Sequence, residues 1–79
     1  MQWLLERCKQ APPNELKHIV TYSLPKCNGM FADNEAIKRL FKFYNEHLNP
    51  SNVKENESCS DCAVKIVRYF NYIDQNYVF

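Results

Sequence analysis

The sequence has very little glycine and no long apolar run. Gly29 is the only glycine among 79 residues. No uninterrupted apolar stretch exceeds about four residues, whereas a helix that spans a bilayer needs about 20. We therefore expect no contact with a membrane. The charged residues Glu6, Arg7 and Lys9 interrupt the first apolar stretch, so the sequence also predicts no secretory signal peptide.

The chain lacks an excess of either charge. Ten Lys and Arg residues stand against nine Asp and Glu residues, and the formal net charge is +1. Binding to nucleic acid without sequence preference relies on clustered Lys and Arg side chains that neutralise phosphates. No such cluster is visible in the sequence. We therefore predict that nucleic acid is not a partner.

Recognisable catalytic signatures are also missing. His18 and His47 could act as bases, but neither has a nearby nucleophile or orienting acid in the sequence. The carboxylates fall on polar faces of the predicted helices, where charges are solvated. The sequence therefore predicts a protein that is not an enzyme and has no recognised small-molecule substrate.

The chain contains enough apolar side chains to fold as one domain, which we assign to residues 1–79. Hydrophobic residues make up 46% of the sequence and aromatic residues 14%. A domain of this size buries only about 60% of the surface of its unfolded chain, so its stability is marginal. Domains this small often gain stability from a disulfide, a metal or a partner.

Two short helices are predicted in the N-terminal third. Leu4, Leu5 and Cys8 lie on one side of a helix over residues 2–10. Pro12 and Pro13 end this helix and can open a second one over residues 13–22, because proline at a first turn loses no needed hydrogen bond. Pro25, Asn28 and Gly29 then predict a loop with a tight turn over residues 23–32.

The rest of the chain predicts an antiparallel helical hairpin, so the expected fold class is all-α. Apolar residues recur every three or four positions over residues 34–48, after an N-terminal Asp33 cap and before Pro50. A second stripe runs through residues 59–75, with Ser58 and Asp61 at the spacing of a capping box. The stripe consists of Cys59, Cys62, Ala63, Ile66, Phe70, Ile73 and Tyr77.

The Cys59-Ser60-Asp61-Cys62 motif is the most specific chemical feature. Because no signal peptide is predicted, reduced thiols are expected rather than disulfides. A structural zinc would need four ligands, for which we name Cys59, Cys62, Cys27 and His47. A second interpretation is thiol redox chemistry, since a helix N-terminus favours a thiolate. A third is that both are small apolar residues closing the hairpin, with no cofactor at all.

Aromatic residues off the two apolar stripes suggest an interface with a protein partner. Tyrosine, tryptophan and phenylalanine are enriched at interfaces because each buries a large area at low cost in entropy. The candidates are Tyr72, Phe43, Trp3, Tyr77 and Phe79. An alternative explanation is that the N-terminal third covers Phe43 and that Tyr72 lies flat on the surface.

Residues 40–73 resemble short CxxC-containing proteins of Bacteroidetes phages, including crAss-like phages. The resemblance is carried by Tyr44, Asn45, Ser58, Cys59 and Cys62, which fall in a helix, a polar linker and an S-C-x-x-C helix start. It implies a phage protein, such as a capsid auxiliary component of the virion. No catalytic residues are implied.

These observations together favour a small non-enzymatic interaction protein that docks on a larger assembly. The alternatives are a zinc-stabilised binding module and, third, a CxxC thiol oxidoreductase. The expected location is a virion or the interior of a host cell.

Overall fold

The structure is a computed structural model that describes residues 2–27, 33–51, 53–56 and 58–79. Within these ranges the regular structure is helical throughout, and the predicted all-α fold class is confirmed. The elements are α1 (Gln2–Gln10), α2 (Pro13–His18), α3 (Leu24–Cys27), α4 (Asn34–Phe43) and α5 (Ser60–Asn76), with π-helical turns at Ile19–Ser23 and Tyr44–Leu48. No helix in these ranges is both long enough and apolar enough to cross a membrane.

The first helix has the predicted bounds, but the second is longer than predicted. It begins at Pro13 as expected and does not end near Tyr22, because the backbone stays helical through Ile19–Ser23 and α3. The predicted loop over residues 23–32 is therefore wrong for its first five residues. The tight turn predicted at Asn28 and Gly29 lies outside the described residues.

The helix continues past Pro25 because its turn widens just before the proline. In a regular α-helix the proline ring would clash with the carbonyl four residues earlier. Here Leu24 donates its backbone N–H to the Ile19 carbonyl, five residues back, in a π-helical turn of the kind that commonly interrupts α-helices. Continuing the helix also buries Ser23, Leu24 and Cys27. The apolar contacts therefore override the proline as a stop signal.

The predicted helix over residues 34–48 is confirmed as α4 and the π-helical turn that follows it. The Asp33 side chain caps it by accepting hydrogen bonds from the backbone of Glu35 and Ala36, at 2.9 and 3.4 Å. The Asp33 N–H in turn donates to the carbonyl of Lys26 at 3.0 Å, which ties the start of α4 to α3. The helical backbone ends at Leu48, and Asn49 is extended just before Pro50.

Helix α5 lies at the centre of the fold. Its residues Ile66, Phe70 and Ile73 are completely buried, and the helix contacts α1, α3, α4 and the first π-helical turn. Its packing against α4 includes an edge-to-face contact between Phe70 and Phe43. The hairpin predicted from the sequence is therefore present, with the N-terminal helices packed onto it.

Phe43 corrects the predicted interface. It was expected on the surface because it lies off the α4 stripe, yet only 4% of it is exposed. Its ring contacts Phe70 at 6.3 Å and His47 at 4.8 Å between centroids. The first π-helical turn and α3, both from the N-terminal third of the chain, contact α4. Phe43 is thus a core residue and is not available to a partner.

Ile66 and Val64 provide a matched test of this packing, since both lie in α5. Ile66→Val removes one buried methylene, and we expect it to lower the free energy of unfolding by about 0.5–1.5 kcal/mol. Val64→Ala is the control: Val64 is 53% exposed, and a surface change of this kind usually stays within about 0.5 kcal/mol. Urea denaturation followed by circular dichroism measures both. Equal losses in the two variants would contradict the burial of this face.

Candidate functional site

The Cys59 side chain caps the N-terminus of α5. Its backbone is extended, and its sulfur accepts a hydrogen bond from the backbone N–H of Cys62 at 3.3 Å. This position usually holds Ser, Thr, Asp or Asn, whose oxygen satisfies one of the free N–H groups of the first turn. Here the acceptor is a sulfur. An ionised sulfur at this point is also stabilised by the positive end of the helix dipole.

The cap lies one residue later than the sequence predicted. Ser58 and Asp61 were expected to form a capping box, but Ser58 belongs to a turn that precedes the helix. The Asn56 side chain accepts the Ser58 N–H at 2.9 Å, and the Asn56 carbonyl accepts the Cys59 N–H at 3.1 Å. This turn leaves Cys59 as the residue that enters α5.

The two thiols of the motif differ in acidity. Interaction with the Cys62 side chain, followed by the hydrogen bond from the Cys62 N–H, lowers the pKa of Cys59 below its ordinary value. The Cys59 side chain, desolvation and the Glu55 carboxylate raise the pKa of Cys62 to about 11. Both residues are half-buried. Cys59 is therefore the more acidic thiol of the pair.

Glu55, in the linker before α5, is held by Asn45, ten residues earlier. The Asn45 side chain accepts the Glu55 N–H at 2.9 Å and donates to the Glu55 carbonyl at 3.1 Å. Asn49 supports the arrangement by donating to the Asn45 side-chain oxygen and to the carbonyl of Val53. The linker between α4 and α5 is thus fixed to the end of the preceding helix.

The Glu55 carboxylate also pairs with Lys65, one turn into α5. The Lys65 Nζ lies 2.5 Å from Oε1 of Glu55. This bond is the main cause that lowers the pKa of Glu55 and raises the pKa of Lys65, so both stay charged. Glu55 therefore attaches the linker to α5 through Lys65.

Cys8 and Cys27 are in a different environment. Both are buried, at 1% and 8% exposure. Burial raises the pKa of Cys8 to about 11 and, together with the charge of Asp33, raises that of Cys27. The Cys27 thiol donates to the Ser23 carbonyl at 3.4 Å. These two cysteines serve as small core residues.

The structure brings together two of the four predicted zinc ligands, Cys59 and Cys62. Cys27 is engaged with Ser23, and the His47 ring lies against Phe43. Across residues 2–27, 33–51, 53–56 and 58–79, no group of three or more His, Cys, Asp or Glu side chains is placed to hold a metal ion.

The predicted interface residues other than Phe43 lie at or near the surface. Trp3 is 36% exposed and contacts the edge of Tyr69. Tyr72 and Tyr77 are half-buried against the core, and the Tyr77 hydroxyl donates to the Cys8 carbonyl at 3.5 Å. Phe79 is half exposed. These residues do not form one continuous stripe along a single helix.

Sequence reasoning gave no role at the site to Glu55, Asn45 or Lys65. Asn45 was named only for the resemblance to phage proteins, and nothing in the local pattern marks the other two. Glu55 lies ten residues from both of its partners, so only the folded chain shows the contact. The only signal in the sequence for these contacts was a short polar linker between two predicted helices.

Comparisons with protein-family models, with curated proteins and with solved structures find no match to this chain. The resemblance to phage proteins therefore stays a prediction.

The environments of the four cysteines predict their order of alkylation in the native protein. With iodoacetamide at about pH 8, we expect Cys59 to react first and Cys62 slowly, because the thiolate is the reactive form. Cys8 and Cys27 should react only after unfolding, since the reagent cannot reach them. Peptide mass spectrometry measures each site, and the same chain in guanidinium chloride is the reference. Labelling of Cys8 as fast as Cys59 would contradict the assignment.

Proposed function

We propose that Cys59 and Cys62 form a redox-active dithiol that closes to a disulfide by exchange with the disulfide of another molecule. The observation that carries this proposal is the cysteine pair at the start of α5, in which the Cys59 sulfur accepts the backbone N–H of Cys62 at 3.3 Å and both residues are half-buried. Both thiols are partly accessible to a second molecule.

The exchange has two steps with balanced atoms and electrons. The Cys59 thiolate attacks one sulfur of the substrate disulfide, which forms a mixed disulfide and releases the first substrate thiolate to take a proton from water. Cys62 then loses its proton to water and attacks the Cys59 sulfur, which releases the second substrate thiolate. The two cysteines lose two electrons, and the substrate disulfide becomes two thiols.

The simpler alternative is that Cys59 only caps the helix. A capping role requires an acceptor at this position but no thiol at Cys62. Serine supplies the same acceptor, so Cys59→Ser is expected to keep the helix and lose the redox chemistry. The proposal does not require turnover. A chain that is oxidised once is a redox-responsive interaction protein and not an enzyme.

Oxidised glutathione tests the dithiol directly. We expect the native chain to lose two hydrogens and to form a disulfide that peptide mapping places between Cys59 and Cys62. Cys62→Ala should stop at a glutathione adduct on Cys59, because no second thiol can displace it. Cys59→Ser leaves one thiol in the motif, so it should stop at a glutathione adduct on Cys62 and form no disulfide within the motif.

The reference for this experiment is the same chain unfolded in guanidinium chloride, where the cysteines have ordinary pKa values. Faster attack by Cys59 in the folded chain than in the unfolded chain supports the proposal. Equal rates at all four cysteines, or a disulfide that does not include Cys59 and Cys62, would refute it.

We also propose that the chain docks on a protein of a larger assembly through its C-terminal residues. Val78 is 90% exposed and Phe79 is half exposed, on an extended segment after α5. The segment is held by Tyr77, whose hydroxyl reaches the Cys8 carbonyl and whose ring contacts Phe79 edge-on at 5.2 Å. A partner with an apolar pocket would cover these side chains. The phage resemblance makes a virion the assembly to test.

Phe79→Ala should weaken this docking at least tenfold. Truncating an aromatic anchor typically costs more than about 1 kcal/mol of binding free energy, and about 1.4 kcal/mol corresponds to a tenfold loss of affinity. Val53→Ala is the control, since Val53 is 76% exposed but lies in the linker between α4 and α5. The measurement is incorporation of each variant into purified particles, quantified by mass spectrometry. Equal incorporation of both variants, with unchanged circular dichroism, would exclude the C-terminal segment.

A further inference from the structure

We infer that a groove on the exposed face of α5 binds a carboxylate of the disulfide substrate, so that the dithiol prefers disulfides of acidic peptides to neutral or cationic ones. This inference rests on the proposed dithiol function and deepens it by naming the substrate class. The groove has a volume of about 550 Å³. It is lined by Asp61, Val64, Lys65, Arg68 and Tyr69.

The groove lies along the same part of α5 as the cysteine pair. Asp61, which lines it, stands between Cys59 and Cys62 in the chain. Arg68 lines it further along the helix, six residues after Cys62, which is about 9 Å along a helix axis. Side chains of a helix tilt towards its N-terminus, which directs Arg68 towards the cysteine pair. A carboxylate on the residue next to the substrate cysteine can cover this separation, because two extended residues span about 7 Å.

Arg68 is the cation of this groove that is free to bind a ligand. Lys65 lines the same groove, but its ammonium group is paired with Glu55. Arg68 is exposed, and among the residues that the structure describes no carboxylate lies within ion-pair distance of it. Its planar guanidinium can donate two parallel hydrogen bonds to one carboxylate. A ligand carboxylate therefore supplies a partner that the described part of the fold does not.

The other wall of the groove is apolar and already held in place. Val64 is exposed and offers contact area to a ligand. The Tyr69 ring meets the edge of Trp3 at 5.5 Å and stacks on Tyr44 at 5.7 Å between centroids. These contacts order the ring before a ligand arrives, which reduces the entropy cost of binding. The apolar parts of a short peptide can lie against this wall.

Asp61 limits where negative charge can be placed in the groove. It is exposed and lies at the end nearest the cysteines. Its carboxylate repels a ligand carboxylate at that end and attracts an ammonium group. The groove therefore favours a peptide whose carboxylate lies at the Arg68 end.

The simpler explanation is that Asp61, Lys65 and Arg68 form a solvated face with no ligand. Charges on such a face act on a substrate only through the long-range field, which salt screens. Any exposed arginine of the chain would then contribute in a similar way. A bound carboxylate instead gives an effect that depends on the substrate and on Arg68 alone.

Three disulfides of different charge test the inference: glutathione disulfide, which carries carboxylates, neutral hydroxyethyl disulfide and cationic cystamine. The rate of adduct formation on Cys59 is measured in a Cys62→Ala background, by acid quench and mass spectrometry. Arg68→Gln should slow the reaction with glutathione disulfide by about two- to fivefold, the range for one exposed ion pair. It should leave the rate with hydroxyethyl disulfide unchanged and should not slow cystamine. Arg39→Gln is the control, because Arg39 is an exposed arginine on α4 in a different groove.

Asp61→Asn should have the opposite effect and favour glutathione disulfide over hydroxyethyl disulfide. The ratio of the two rates is compared, because Asp61 also acts on the Cys59 sulfur itself and so changes both rates together. An unchanged ratio in Arg68→Gln, or the same loss in Arg39→Gln, would overturn the inference. A ratio that falls in Asp61→Asn would overturn it as well, and this variant decides alone if Arg68→Gln does not fold.

Binding can also be measured without exchange, using S-methylglutathione, which has the same carboxylates but no disulfide. At millimolar concentration it should shift the amide NMR signals of Val64, Lys65 and Tyr69, and it should shift them less in Arg68→Gln. The dithiol function fails separately, when hydroxyethyl disulfide produces no disulfide between Cys59 and Cys62 in the unchanged chain. In that case the NMR measurement still decides the groove: no shifts on α5, or equal shifts in Arg68→Gln, would rule out carboxylate binding there.

Discussion

The burial of one face of α5 is the constraint on which the rest of this fold depends. Ile66, Phe70 and Ile73 are completely covered, and they are covered by four different parts of the chain. A domain of 79 residues has little apolar surface to spare. Each other helix therefore gains most of its stability from contact with α5 or with a neighbour that contacts it, as helices this short are marginal alone.

The same constraint fixes the chemistry at the start of α5. A cap is a local feature, but its position in space follows from the packing of the whole helix. Lys65 lies one residue before Ile66. The burial of Ile66 therefore fixes the position of the Lys65 ammonium group beside the linker. In the same way, the burial of Tyr44 fixes the position of its neighbour Asn45. Two core residues thus place the two polar groups that hold Glu55.

The sequence predicts the parts of this structure that depend on local periodicity and capping. Leu40, Phe41 and Leu48 repeat at helical spacing, and Asp33 caps the helix that contains them. Pro25 was read as a stop because the local rule for proline takes no account of buried neighbours. Phe43 was placed on the surface because one helix wheel cannot show what packs on its far side. Both errors arise from contacts between segments that are distant in the chain.

Some residues of the candidate site are marked by a local sequence pattern, and others come together only in the folded chain. Cys59 and Cys62 are visible in the sequence because three-residue spacing at a helix start is a local pattern. Glu55 is not visible, because its role needs Asn45 and Lys65 at ten residues on either side. The sequence therefore identified the two cysteines but not the contacts that hold the linker in front of them.

Four cysteines in one small chain show how environment separates residues of a single type. Cys8 and Cys27 are covered by apolar neighbours, so their thiols are kept protonated and out of reach. Cys59 and Cys62 lie where the backbone of α5 offers a free N–H group, and this favours charge on one of them. Closure to a disulfide would change the surface at the start of the central helix, next to the linker that Asn45 and Lys65 hold through Glu55.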